Sequence, residues 1–304
     1  MVSVQVSKRH TFTGHRDSVY TLQPGIQPNL FFSGAGDGMV VLWDLQTPGD
    51  GELVAKLPNS VYSLLHLPEK KWLLAGQNFS GLHLIDYQNK KELASLQLTS
   101  SSIFDIQKNE NDIVVATGDG VITIVDLGTW SVKKRIHMAD KSARTIAVNT
   151  LRKEMAVGYS DHSIRIFGLE EYQLKREIQG HQNSVFSLVY SPDGKVLLSG
   201  ARDARLKVWE AAADYALINE VVAHLYAINH LTFSPDGKYL ATASMDKSIK
   251  VWVSSDLQLL KVIDKGRHAG HGTSVNKLLW TSYNNQLVSA SDDRTISAWD
   301  LLFL

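Results

Sequence analysis

The chain of 304 residues contains no cysteine. That excludes a disulfide scaffold, zinc–thiolate sites and a thiol nucleophile. It carries no net charge either, with 31 Lys+Arg against 31 Asp+Glu, which disfavours a protein whose main task is to hold a polyphosphate backbone. No stretch approaches the ~18 uninterrupted apolar residues of a bilayer-spanning helix. The opening MVSVQVSKRHTF lacks the apolar run of a signal peptide and shows no coiled-coil heptads. Val2 stands where myristoylation needs glycine, and the closing Leu-Leu-Phe-Leu offers no cysteine to prenylate. These absences favour a soluble, cytoplasmic protein without a membrane partner. Present instead are 44% apolar residues and seven tryptophans. The first is enough for a packed core. The second invites a sevenfold guess that only spacing can test.

Four segments align without a gap, each opening on a small residue plus His and closing on Trp: Gly14-His15 to Trp43, Gly180-His181 to Trp209, Ala223-His224 to Trp252 and Gly270-His271 to Trp299. The His-to-Trp separation is the same in all four. A hydroxyl stands at one fixed offset after each His (Ser33, Ser199, Thr242, Ser289), and an Asp at one fixed offset after the hydroxyl (Asp37, Asp203, Asp246, Asp293). Three weaker repeats fill the gap after Trp43, with Ile85, Val125 and Phe167 at the Trp position. Successive intervals from 43 to 299 are then 42, 40, 42, 42, 43 and 47. Asp119 and Asp161 keep the turn aspartate; in the second repeat either Asn78 or Phe79 takes its place. The weak repeats lose the Gly-His, which becomes Leu57, an undefined residue near Gln97, and Ala139. Only four of the seven tryptophans occupy the repeat position, so the sevenfold count rests on spacing.

Within a repeat the pattern is of short strands. Val185 to Tyr190 alternates as a strand with one buried face, Ser191-Pro192-Asp193-Gly194-Lys195 is a tight turn, and Val196–Gly200 and Arg205–Trp209 are two further strands. The same Ser-Pro-Asp-Gly-Lys recurs at Ser234 to Lys238. No helix longer than a turn or two is expected, with Ala211–Asp214 as one candidate turn.

This sequence resembles the WD-repeat β-propellers, whose Gly-His and Trp-Asp landmarks recur ~40–45 residues apart. The resemblance covers the chain from about Val4 to Trp299. It implies an all-β fold, a seven-bladed β-propeller of four-stranded antiparallel blades, occupying residues 1–304 as a single propeller. The last repeat stops after a third strand, while Val2-Ser3-Val4-Gln5-Val6-Ser7 alternates with period two. Residues 2–9 are therefore expected to complete the last blade, closing the N-terminus onto the C-terminus and removing an exposed edge.

The recurring His, Ser and Asp could be mistaken for a catalytic triad. A triad is needed once per site, and here the set recurs four times. In the family these residues form a buried hydrogen-bond chain with the Trp, which assigns a structural role to His15, Ser33, Asp37 and Trp43; His181, Ser199, Asp203 and Trp209; His224, Thr242, Asp246 and Trp252; and His271, Ser289, Asp293 and Trp299. A neutral imidazole can link a carboxylate to a hydroxyl because it has one donor and one acceptor nitrogen. The weak repeats replaced several members together (Leu57, Ala75 and Ile85; Ala139, Val157 and Phe167), which is cheaper than stranding one polar group. His268 and His271 lack a third metal ligand, and Gly34-Ala35-Gly36-Asp37-Gly38 joins two strands rather than opening a helix as a phosphate cradle does. No catalytic, metal-binding or cofactor-binding residue is assigned, no cofactor is expected, and the chain is not expected to be an enzyme.

The resemblance also implies where a partner binds: positions flanking the inner-strand apolar residue, and the one before the turn Asp, ring the channel mouth. The apolar residues are Val19, Val61, Ile103, Ala143, Val185, Ile228 and Val275. The residues after them are Tyr20, Tyr62, Phe104, Arg144, Phe186, Asn229 and Asn276; the residues before are Ser in six repeats and Ala227 in one. Arg202 and Asp292 precede turn aspartates. Aromatics and Arg framed by small residues are the composition of an interface hot spot, although the aromatics could instead pack between blades. Arg144 and Arg202 favour an acidic or carboxylate-bearing peptide, unless Arg144 lies over a neighbouring ring. The reading is a non-catalytic scaffold for partner proteins or peptides, monomeric within a larger complex. A channel used for small-ligand binding or catalysis is one alternative. Nucleic-acid or ribosome association through Lys133-Lys134-Arg135, Lys90-Lys91 and Lys70-Lys71 is another, disfavoured because such clusters are more often solvated turns.

Overall fold

The computed structural model describes residues 3–304. Seven four-stranded antiparallel sheets make up the fold, each a blade of a seven-bladed β-propeller. Among the described residues helix is confined to Lys265–His268 and three 3₁₀ turns, one of them the expected Ala211–Ala213. No helix among them is long and apolar enough to cross a membrane.

The seven first strands begin at Val19, Val61, Ile103, Ala143, Val185, Ile228 and Val275, the residues picked out by the repeat, and all seven are fully buried. The second strands are short apolar runs buried on both faces, as in Val196–Ala201 and Asp112–Thr117. The fourth strands are the reverse: in Ser131–His137 every residue but Ile136 is exposed. Charge along such an unpaired edge discourages pairing with another chain.

The chain divides into two compact units. One holds residues through 75, 83–94 and 232–304; the other holds 76–82 and 95–231. In the first unit, one blade is built from Val19–Pro24, Leu30–Ala35, Met39–Asp44 and Glu52–Lys56. The last blade pairs Val275–Trp280, Leu287–Ser291 and Ile296–Phe303, and its fourth strand is Val4–Phe12 from the other end of the chain. The register runs from Val4 opposite Phe303 to Phe12 opposite Ile296, with an irregularity between Lys8 and His10. The closing strand thus begins at Val4 and runs on to Phe12, past the end of the expected 2–9, because the third strand pairs along its whole length; Val2 lies outside the described residues. Phe12 is buried and packs edge-on against Phe31 and Trp43, each at 5.4 Å.

The second unit contains three complete blades, with first strands Ile103–Asn109, Ala143–Asn149 and Val185–Tyr190. Neighbouring blades there approach over glycine. A Cβ on Gly158 would lie 2.8 Å from a Val185 methyl, and one on Gly200 2.6 Å from an Ile228 methyl. A side chain at either glycine would force the neighbouring blades apart.

Candidate functional site

The hydrogen-bond chains form as the repeat implies. In the first blade Trp43 Nε1 donates to Ser33 Oγ (2.8 Å), which lies 2.7 Å from His15 Nε2, while His15 Nδ1 is 3.1 Å from Asp37 Oδ2. The order fixes the proton positions: Trp N–H to Ser oxygen, Ser O–H to Nε2, and Nδ1–H to the carboxylate. Every member is satisfied by a neutral imidazole. Burial lowers the His15 pKa against the pull of Asp37, in keeping with that state. The blades of Trp209 and Trp299 repeat the geometry. Each indole donates to its Ser Oγ at 2.8 Å. His181 Nδ1 is 3.0 Å from Asp203 and His271 Nδ1 is 2.9 Å from Asp293. In the sixth blade Trp252 Nε1 donates to Thr242 Oγ1 at 3.1 Å.

The weak blades rebuilt the turn instead of leaving it bare. Thr99 Oγ1 donates to Asp119 Oδ2 at 2.7 Å, so Thr99 takes the place left undefined near Gln97. In the fourth blade, where the His is Ala139, buried Arg165 reaches Asp161 from the third strand (2.9 Å), binds Glu177 (3.0 Å) and stacks 4.5 Å from the Tyr159 ring. Sequence reasoning missed Arg165; the signal was an Arg inside the apolar run Ser163–Gly168. In the second blade His83 bonds Glu92 at 2.8 Å. There the strands either side of the turn keep the spacing of the first blade, which puts Phe79 at the turn-aspartate position and Asn78 before it.

Phe79 is strained. Its φ is 63°, a left-handed conformation that costs a residue with a Cβ about 1–2 kcal/mol, and its side chain is 64% exposed. At the aspartate turns the positive φ falls one residue later, on Gly38, Gly120, His162, Ala204, Lys247 and Arg294.

The partner-binding candidates share a backbone device. In five blades the strand register slips at the residue after the buried apolar one, between Val19 and Thr21, Ile103 and Asp105, Ala143 and Thr145, Val185 and Ser187, and Val275 and Lys277. Tyr20, Phe104, Arg144, Phe186 and Asn276 therefore sit at β-bulges, which re-aim a side chain away from the regular pleat. All five are partly exposed.

The recurrent Ser before the apolar residue has a role other than framing a hot spot. Ser60 Oγ donates to Gly36 O (3.2 Å), Ser142 Oγ to Gly118 O (2.9 Å), and Ser102 Oγ to Asn78 Oδ1. Each hydroxyl staples one blade to the turn of the preceding blade.

In the second unit the bulges bring three candidates together. The Arg144 guanidinium lies 4.0 Å from the Phe104 ring centroid and 4.8 Å from that of Phe186. Arg144 thus stacks over neighbouring rings. Stacking occupies the faces of a guanidinium, whereas carboxylates are bound along its edge. Arg202 is exposed, anchored by its backbone N–H to Ser184 O at 2.8 Å. Asn229 follows Ile228 and is partly exposed.

The first unit carries a different patch. Tyr20 and Tyr62 stack at 4.5 Å and 27°. Asn276 Nδ2 donates to Asp292 Oδ1 (2.7 Å) and to Val19 O (3.1 Å). Burial, reinforced by Tyr62, Asp17 and Asp292, pushes the Tyr20 hydroxyl up to about 12, so it stays protonated. The Tyr20 surroundings are electronegative; Arg202 belongs to the blade that follows that of Arg144.

The main basic cluster is committed to protein partners: Lys133 to Asp112 (2.7 Å), Lys134 to Glu171 O (2.5 Å) and Arg135 to Leu98 O (2.9 Å). Lys90 pairs with Glu52, and Lys70 lies over Trp72. This gives the nucleic-acid alternative no support. His271 belongs to its hydrogen-bond chain, while His268 is on the short Lys265–His268 helix.

Two further carboxylates, not anticipated from sequence, latch neighbouring blades. Asp112 accepts from Lys133 of its own fourth strand and from Tyr172 Oη of the next blade (2.9 Å). Glu154, which begins the second strand of the following blade as Asp112 begins its own, accepts from Lys175 (3.1 Å) and Tyr215 Oη (2.8 Å) in the same way.

Comparison with known proteins agrees with this geometry. The family model described as "WD domain, G-beta repeat" matches residues 6–44, 172–210, 216–253 and 263–300, the four repeats with complete landmarks. The chain is 27% identical over 97% of its length to nuclear distribution protein nudF of Emericella nidulans, of which it spans 62%. It is 25% identical to protein groucho of Drosophila melanogaster over 61% of this chain and 26% of that protein. Periodic tryptophan protein 2 of Saccharomyces cerevisiae is 22% identical over 67% of this chain and 21% of its own length. With its blades, its hydrogen-bond chains and these matches, the chain belongs to the WD-repeat family.

Proposed function

We propose that this protein is a non-catalytic interaction scaffold that captures an acidic segment of a partner protein at the Phe104–Arg144–Phe186 patch. WD-repeat propellers are generally scaffolds of this kind, and such a role places the chain as one subunit of a larger cytoplasmic complex. The observation that carries the reading is the Arg144 guanidinium held between two aromatic rings. An arginine fixed in this way loses little side-chain freedom on binding, so its hydrogen bonds to a carboxylate are largely preorganised. Its bulge directs it out of the ladder, and Arg202 adds a second exposed positive charge on the following blade. The Tyr20–Tyr62 patch of the first unit, with Asp292 beside Asn276, suits an uncharged or basic segment.

The test uses a fluorescein-labelled decapeptide rich in Asp and Glu and a Lys-rich control. Arg144→Gln keeps a planar polar group between the rings. Truncation to Ala would also remove the stacking and confuse stability with binding. The acidic peptide should bind the wild type in preference to the basic one, and Arg144→Gln should weaken it about tenfold or more, the value of one or two charge-assisted hydrogen bonds. Equal binding of both peptides, or of neither, refutes the reading.

A further inference from the structure

We infer that Phe79 is an apolar anchor beside the Arg144 patch, so that the segment this surface fits has an acidic core with an apolar residue next to it. The inference rests on the reading above and adds a requirement that reading does not contain. A phenylalanine in a left-handed turn with most of its surface in solvent adds little burial to the fold. Asn or Gly would take φ 63° with less strain, and a polar residue would suit the 64% exposure. The six other turns place Asp here, and Asp37, Asp203 and Asp293 use it to hold a histidine. Strain at an exposed aromatic points to binding rather than folding.

The backbone of Phe79 is tied to the patch. Gln97 Nε2 donates to Phe79 O at 2.8 Å, Phe79 N donates to Ser101 O at 3.3 Å, and Ser102 bonds Asn78. Phe104 is two residues beyond Ser102. A Cβ on Gly118 would lie 3.3 Å from the Phe104 ring, and Gly118 O is stapled by Ser142, two residues before Arg144. Phe79 thus shares the loop end of the second unit with Phe104, Arg144 and Phe186. On the far side of Arg202 the same end carries Leu225 and Tyr226, 84% and 61% exposed. They are positioned there because Ala204 O accepts the N–H groups of Ala223 and His224. Two arginines flanked by exposed apolar residues are complementary to an extended polypeptide with carboxylates in the middle and apolar side chains outside them.

Three labelled decapeptides test this: an Asp/Glu core with Leu and Phe flanks, the same core with Ser flanks, and a Gln core with Leu and Phe flanks. The wild type should bind the first at least tenfold more tightly than either other. Phe79→Asn, which suits a left-handed turn, should keep or raise the melting temperature and bind the first peptide no better than the second. Phe79→Trp should retain the preference. If the two acidic peptides bind the wild type alike, or Phe79→Asn keeps the preference, the anchor is wrong while acidic capture stands. If the Gln-core peptide binds as tightly as the first, the pairing of acid with anchor is wrong. If no acidic peptide binds the wild type, acidic capture fails and the anchor falls with it.

Discussion

Ser199 is fully buried and is the midpoint of its hydrogen-bond chain, 2.8 Å from the Trp209 indole nitrogen and 2.7 Å from His181 Nε2. Ser199→Ala removes one oxygen and creates almost no cavity, so packing should be unchanged. It leaves an indole N–H without an acceptor and an imidazole nitrogen without a donor. Each such buried group costs about 1–3 kcal/mol, so the expected loss is about 4 kcal/mol, read from urea unfolding followed by far-UV circular dichroism at pH 7. Trp209→Phe has its own packing cost, but in that background only the imidazole is stranded by Ser199→Ala. The double variant should therefore be less destabilised than the sum of the singles by about 1–3 kcal/mol, a coupling expected of residues in one network. A loss below about 0.5 kcal/mol for Ser199→Ala, or additive singles, would show that the chain of bonds is incidental and that the tryptophan alone matters.

Acid should weaken the protein. Burial opposes the charge of Asp203, but hydrogen bonds from His181, Gln182 N–H and Arg205 N–H outweigh it and hold the carboxyl at about 2. That stability is complete above the unfolded value of ~4 and lost as pH falls toward 2. The lowered His15 pKa acts in the same direction below the unfolded ~6.5. The melting temperature should therefore fall on acidification, and a rise would contradict the assignment. Deleting the closing strand should cost more than about 4 kcal/mol, since Val4 and Phe12 lose their burial and Ile296–Phe303 loses its partner; an unchanged melt would refute it. Tyr215→Phe should cost about 1–3 kcal/mol in chemical denaturation, because Tyr190 Oη loses a 2.7 Å partner, whereas Tyr20→Phe, half-exposed, should cost far less. Phe79→Asn should gain about 1 kcal/mol, or ~2 °C, by calorimetry, and a loss would show that the turn is not strained.

The blades were legible because the landmarks recur at fixed spacing and carry chemistry a single repeat can show. His15, Ser33, Asp37 and Trp43 all fall within one repeat and bond as one group. Arg165 was not legible as a replacement for histidine, because it reaches Asp161 from the third strand rather than from the His position. Nor were the Asp112–Tyr172 and Glu154–Tyr215 latches, which join residues far apart in sequence on neighbouring blades; no periodic pattern encodes such a pair. The repeated serines were visible, but their use as staples depends on the turn of the preceding blade. The bulges at Tyr20, Phe104 and Arg144 were invisible as backbone, since a slip in register leaves no residue type behind it.

The closing strand has a consequence for synthesis. Val4–Phe12 leaves the ribosome well before its partner Ile296–Phe303, which lies most of the chain downstream. At roughly 5–20 residues per second the early strand waits on the order of 15–60 s for its place. During that interval an alternating apolar strand has no ladder to join, and Phe12, Phe31 and Trp43 lack their full cover. A nascent chain halted before residue 296 therefore offers a free strand and an open sheet edge at once, which are the two halves of an exchange with a neighbouring copy. The seam that seals the finished protein is thus the step at which assembly is most exposed to a chaperone or to a wrong partner.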